Sequence, residues 1–99
     1  MKLRYSKAAL ADLRAIADYI LTNNPSAALA VIDELERVCG LLAEMPGIGK
    51  RVEFITDAEY FMAPAGKYSN YLIFYTLQEK QLIVQRILHG KRNIIDLFK

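Results

Sequence analysis

The side chains best suited to chemistry in this 99-residue chain converge near its end, in the run Arg86-Ile87-Leu88-His89-Gly90-Lys91-Arg92. RNA cleavage by attack of a 2′-hydroxyl needs a base, cations that stabilise the pentavalent phosphate, and an acid for the leaving oxygen. His89, Arg86, Lys91 and Arg92, with Tyr75 and Lys67, could supply those roles. Each also has a plain structural reading. An arginine partway along a strand stacks on aromatics or pairs with a carboxylate, and a histidine at a strand end often serves as a hydrogen-bonding terminus. Docking to another protein explains the cluster as well as catalysis does.

Other chemistries fall away. His89 is the only histidine, and neither a Gly-x-Ser-x-Gly elbow nor a phosphate-cradling glycine-rich loop occurs, so a nucleophilic hydrolase lacks its parts. A metal site would need carboxylates beside His89, and Asp96 is the one carboxylate near it in sequence; no metal or cofactor is expected. Cys39 is the single cysteine. It lies in a helical apolar pattern between Val38 and Leu42, which predicts a buried, inert thiol and excludes an intrachain disulfide.

Charge adds a direction. The net charge is only +2, but from Lys80 onward Arg86, Lys91, Arg92 and Lys99 face a single Asp96, a basic surface suited to an acidic partner or a phosphate backbone. With 54% hydrophobic residues the chain has the composition of a globular protein. Its length predicts a single domain over 1–99. No apolar run approaches the roughly 18 residues of a membrane span, and Met1-Lys2-Leu3-Arg4-Tyr5 lacks the apolar core of a secretory signal. A cytoplasmic location is expected.

The elements that must position the cluster can be read in order. Lys2-Leu3-Arg4-Tyr5 alternates as a short edge strand, and Ser6 is an N-cap. Leu10, Leu13, Ile16, Ala17, Ile20 and Leu21 form the apolar stripe of a first helix, with Asp12, Arg14 and Asp18 largely off it. Asn24-Pro25 opens a second helix, whose stripe is Val31, Ile32, Leu35, Val38, Cys39, Leu42 and Met45. Met45-Pro46-Gly47-Ile48-Gly49 stops it. Short strands are predicted at Arg51–Ile55 and Tyr60–Ala63, with a turn at Pro64-Ala65-Gly66. Tyr71–Leu77 and Leu82–Leu88 form an antiparallel hairpin through Gln78-Glu79-Lys80-Gln81. Simple alternation puts Leu82, Val84, Arg86 and Leu88 on one face of the last strand and Ile83, Gln85, Ile87 and His89 on the other. Both faces are apolar, so something must cover the side away from the helices: a partner segment, a second copy, or the tail Asn93–Phe98. The predicted architecture is α+β, an N-terminal helical hairpin packed on a three- to four-stranded antiparallel sheet. Doubly apolar strands also predict poor solubility or self-association without a partner.

At this point the chain resembles the ParE branch of the RelE/ParE toxins of bacterial toxin–antitoxin systems. The resemblance is carried by Leu10-Ala11-Asp12-Leu13 with Ile16 and Tyr19-Ile20, by Asn24-Pro25-Ser26-Ala27-Ala28, and by Pro46-Gly47-Ile48-Gly49. Tyr71-Leu72-Ile73-Phe74-Tyr75 and the run from Arg86 to Arg92 complete it. It implies a RelE/ParE-like fold and a cognate antitoxin that wraps the toxin over apolar sheet and helix surface, as a hetero-oligomer. It further implies action on DNA gyrase by binding, without catalysis, in systems that serve plasmid stabilization. Arg86, His89, Lys91, Arg92, Tyr75 and Lys67 then become target- or antitoxin-binding residues. RelE-like relatives instead cut messenger RNA on the ribosome, and they place a tyrosine or histidine in the last segment, where this chain has neither after His89. Two departures stand out. Asn93 replaces a common aspartate, and Ser69-Asn70 are inserted before Tyr71, where a basic residue usually leads the strand. A degenerate toxin that only binds antitoxin is the blander alternative.

Overall fold

The computed structural model describes residues 1–55, 58–91 and 94–97. Its elements are β1 (Lys2–Tyr5), α1 (Lys7–Asn23), α2 (Pro25–Glu44), a 3-10 turn (Pro46–Ile48), β2 (Lys50–Arg51), β3 (Phe61–Ala65), β4 (Tyr68–Gln78), β5 (Gln81–His89) and α3 (Ile94–Leu97). The strands form one sheet in the order β1-β5-β4-β3-β2. The architecture is α+β as expected, but the sheet has five strands and is mixed. β1 runs parallel to β5, with Lys2 opposite Gln81 and Tyr5 opposite Val84. The chain between the two, which contains the helical hairpin and then β2, β3 and β4, makes the long connection that a parallel pair requires.

The helix ends follow from local chemistry. Ser6 Oγ accepts the Ala9 amide at 3.0 Å and donates to the Gln85 carbonyl at 2.8 Å, so one hydroxyl starts α1 and ties it to β5. Asn24 serves both helices. Its amide donates to Ile20 O, its Oδ1 accepts Ala27 N, and Pro25 fills the first position of α2.

The apolar stripe read for α1 is wider than the face that packs. Ala9 and Ile16 are buried and Leu13 and Ile20 partly so, whereas Leu10 and Leu21 are 54% and 49% exposed. At 100° per residue the first four fall within a narrow sector, and Leu10, Ala17 and Leu21 lie beside it. On α2 the stripe holds except that Met45 is exposed.

Strand boundaries shift for identifiable reasons. β2 ends at Arg51 rather than running to Ile55, because after the bond from Val52 N to Tyr60 O the chain turns. Pro64 and Ala65 belong to β3, and the turn falls at Gly66-Lys67, where Gly66 has φ +55°. Proline is tolerated there because β2 pairs only with Phe61 and Met62, which leaves Pro64 on an edge. Glu79 and Lys80 both have positive φ, a two-residue type I′ turn that closes the β4–β5 hairpin.

The largest correction concerns the faces of β5. Tyr75 pairs with Val84 but Phe74 pairs with Arg86, so Gln85 is a bulge residue. Beyond it the alternation reverses. Leu82, Val84 and Ile87 share the core under the helices, and Leu88 joins Phe74 and Val52 in a second core on the far face. That second core is covered by Ile55, Tyr60 and Met62 and by Ile94 and Leu97 of α3. Of the covers the sequence allowed, the tail is in place.

Candidate interaction surface

β5 is nine residues long, but β1 pairs only with its first four, Gln81 to Val84. From Gln85 onward the exposed edge is met by the start of α1. Ser6 N and Oγ take the carbonyls of Val84 and Gln85, and Asp12 Oδ2 accepts the Ile87 amide at 2.9 Å. Asp12 also holds Arg86 in a two-point pair, Nε to Oδ2 at 2.8 Å and Nη2 to Oδ1 at 3.0 Å. The two side chains are 12% and 23% exposed. In such a half-dry setting a two-point pair is strong, and it holds the guanidinium firmly in its charged form.

Beyond this pair lies a cleft of about 380 Å³ between α1 and the ends of β4 and β5, lined by Asp12, Ala15, Ile16, Tyr19, Tyr71, Ile87 and His89. Tyr71 pairs across the sheet with His89, and their rings meet edge to face at 5.3 Å. Burial pushes the Tyr71 phenol above its ordinary pKa, and Tyr19 adds to the shift. His89 Nδ1 accepts the Lys91 amide at 3.1 Å, which turns Nε2 toward other partners. Gly90 N donates to Asn70 O at 2.7 Å and fixes the exit from the strand. Ser69 and Asn70, read from the sequence as an insertion, lie within β4, and the Asn70 carbonyl supplies that anchor.

The six residues singled out in the sequence have different fates. His89 and Lys91 meet just at the end of β5, where the Lys91 amide bonds the imidazole and its side chain is exposed, while Arg86, three residues earlier in the strand, is engaged by Asp12. Lys67 sits at the same end of the sheet, in the turn before β4. Its amide donates to Glu34 Oε2 at 3.1 Å while its side chain is exposed. Tyr75 stands apart and is fully buried. Its hydroxyl donates to Pro46 O at 2.7 Å and accepts from Gly49 N at 3.0 Å, so it fastens the turn after α2. A side chain at Gly49 would collide with that phenol. Arg92 and Asn93 lie outside the described residues.

Sequence reasoning missed Asp12, Tyr19 and Tyr71. It placed Asp12 on the wet side of its helix, yet it is a main fixture of the site. The available signal was an arginine inside an apolar strand, which demands a carboxylate from somewhere. Among the described residues no cluster of His, Cys, Asp and Glu could hold a metal, and no helix is long and apolar enough to cross a membrane.

The family model for the ParE toxin of type II toxin–antitoxin systems, parDE, matches residues 3–94. The chain belongs to the ParE toxin family. A solved structure described as "Chromosomal ParDE TA system from P. aeruginosa" superimposes with a TM-score of 0.76 at 19% identity, over 90% of this chain and 95% of that one. At that identity the likeness speaks for the ParE fold. No curated protein sequence matches the chain.

Proposed function

We propose that this ParE-family toxin inhibits DNA gyrase by direct binding, without a chemical step of its own, and is neutralised by a cognate antitoxin in a hetero-oligomer in the cytoplasm. The family match over residues 3–94 carries the reading. The site geometry supports it: Asp12, the carboxylate beside His89 in the cleft, is occupied by three N–H donors, so the acid–base pair that strand cleavage needs is poorly served. In this reading the exposed Lys91 and Lys67, with His89, contribute to the contact surface, Arg86 braces the end of β5 through Asp12, and Tyr75 serves the turn after α2 instead. A supercoiling assay with purified gyrase and this protein freed of antitoxin is the test. Folded protein that neither inhibits supercoiling nor traps cleaved DNA would sink the proposal.

One observation favours a second reading. The cleft collects His89, Tyr19 and Tyr71, groups that a ribosome-dependent mRNA endonuclease could use. That reading predicts codon-positioned cuts in translated messages that vanish in His89→Ala. An intact message pool rules it out.

A further inference from the structure

The cleft between α1 and the ends of β4 and β5 has two aromatic walls. On α1, Asp12, Ala15, Ile16 and Tyr19 follow one another along a single helical line. Opposite them stands Tyr71 with its cross-strand partner His89. Tyr19 is 69% exposed and belongs to neither core, so packing gives no account of an aromatic side chain there.

The polar groups of the cleft are mainly donors. Both oxygens of Asp12 are engaged by Arg86 and the Ile87 amide, and the guanidinium matches its charge. His89 Nδ1 accepts the Lys91 amide, which puts the proton of the neutral ring on Nε2 and makes that atom a donor. The Tyr19 phenol lies near enough to Tyr71 to help raise its pKa, and both hydroxyls can donate. These rings and donors surround about 380 Å³, at the small end of the roughly 300–1,000 Å³ of ligand pockets. Such a space suits one planar ring with acceptors on its edge. An apolar side chain of a protein partner would leave the donors unpaired.

Charge narrows the choice. Lys91 is tied to the His89 ring through its amide, and its side chain is exposed. Its ammonium, on a flexible four-carbon stem, can meet a phosphate next to a ring held by His89. A planar ring flanked by phosphate is a nucleobase. Bases within a duplex are stacked and paired, so an unpaired strand must supply it.

We propose that the cleft takes one unstacked base of a single nucleic-acid strand, held by Tyr19, Tyr71 and His89, with Lys91 on the flanking phosphate. Thymine and uracil, whose edges carry carbonyl acceptors, match the donors best. The inference deepens the gyrase reading above, in which the strand is the cleaved DNA.

The test is fluorescence anisotropy of labelled oligodeoxythymidine, oligouridine and an abasic strand of equal length with the purified, antitoxin-free chain. The thymidine strand should bind, and the abasic strand about tenfold more weakly. Tyr19→Ala should lose a similar factor at an unchanged melting temperature. Lys91→Gln should lower the slope of log affinity against log salt by about 0.7, a slope that Tyr19→Ala leaves alone. Equal binding of the abasic strand, or full binding by Tyr19→Ala, assigns the strand to the cations alone and overturns the cleft. Absence of binding to any strand also overturns it and leaves the gyrase reading, which the supercoiling assay decides separately. A preference of about tenfold or more for uridine keeps the cleft but makes its strand RNA and removes the gyrase source. Equal or tighter binding of thymidine supports both.

Discussion

Asp12 is the residue on which the site depends, because one carboxylate satisfies both a strand-edge amide and a half-buried guanidinium. Asp12→Ala leaves Arg86 and the Ile87 amide without their partner, and should cost about 2–4 kcal/mol in urea unfolding. Removing both ions, in Asp12→Ala/Arg86→Ala, should cost less than the sum of the two single changes, and an additive cycle would deny the coupling. Glu34 gives a pH signature. Hydrogen bonds from Arg37, then from the Lys67 amide, hold its carboxyl down at about 2, against an ordinary value of 4.5. A depressed folded-state pKa contributes stability that is complete above 4.5 and lost as pH falls from there toward 2. Glu34→Gln should therefore flatten the stability profile in that window and leave its shape at neutral pH unchanged. Arg86 was legible as a residue in need of a partner. Asp12 was not legible as that partner, because the two are joined through a crossover that only the fold brings together.

At the scale of elements, periodicity located both helices and the final hairpin, since apolar spacing and the Ser6 and Asn24 caps are local signals. What local signals cannot show is pairing. The parallel partner of β1 and the bulge at Gln85 both arise from contacts distant in sequence, and the bulge moved Ile87 and Leu88 to faces that strict alternation does not give. The type I′ turn places Lys80 at φ +65°, a conformation that costs a non-glycine residue roughly 1 kcal/mol or more. Lys80→Gly should raise stability by about 0.5–1 kcal/mol in thermal or urea unfolding. The far face of the sheet depends on α3. The double change Ile94→Ser/Leu97→Ser should uncover Leu88 and its neighbours, cost about 1–3 kcal/mol, and produce concentration-dependent association in sedimentation experiments. A variant that stays monomeric with unchanged stability would show that the tail is dispensable as a cover.

At the scale of the molecule, the parts divide the work. The helical hairpin and α3 enclose the two faces of the sheet, α1 seals the distal edge of β5, and β1 keeps an open, basic edge. The end of β5 then stands clear of the packing with Lys91 exposed beside His89. The α+β class and the ParE resemblance were readable from composition, caps and the closing motif. The five-stranded mixed sheet, the buried station of Tyr75 and the cleft lined by Tyr19 and Tyr71 required the structure, because each joins segments far apart in the chain. The central claim is that this surface stops gyrase by binding it. It is tested most directly by titrating purified, antitoxin-free protein into a gyrase supercoiling reaction and scoring cleaved DNA. The account predicts dose-dependent loss of supercoiling with accumulation of the cleaved complex, weakened by Lys91→Glu in a protein of unchanged fold. Full supercoiling at saturating toxin, with no cleaved DNA, would contradict it.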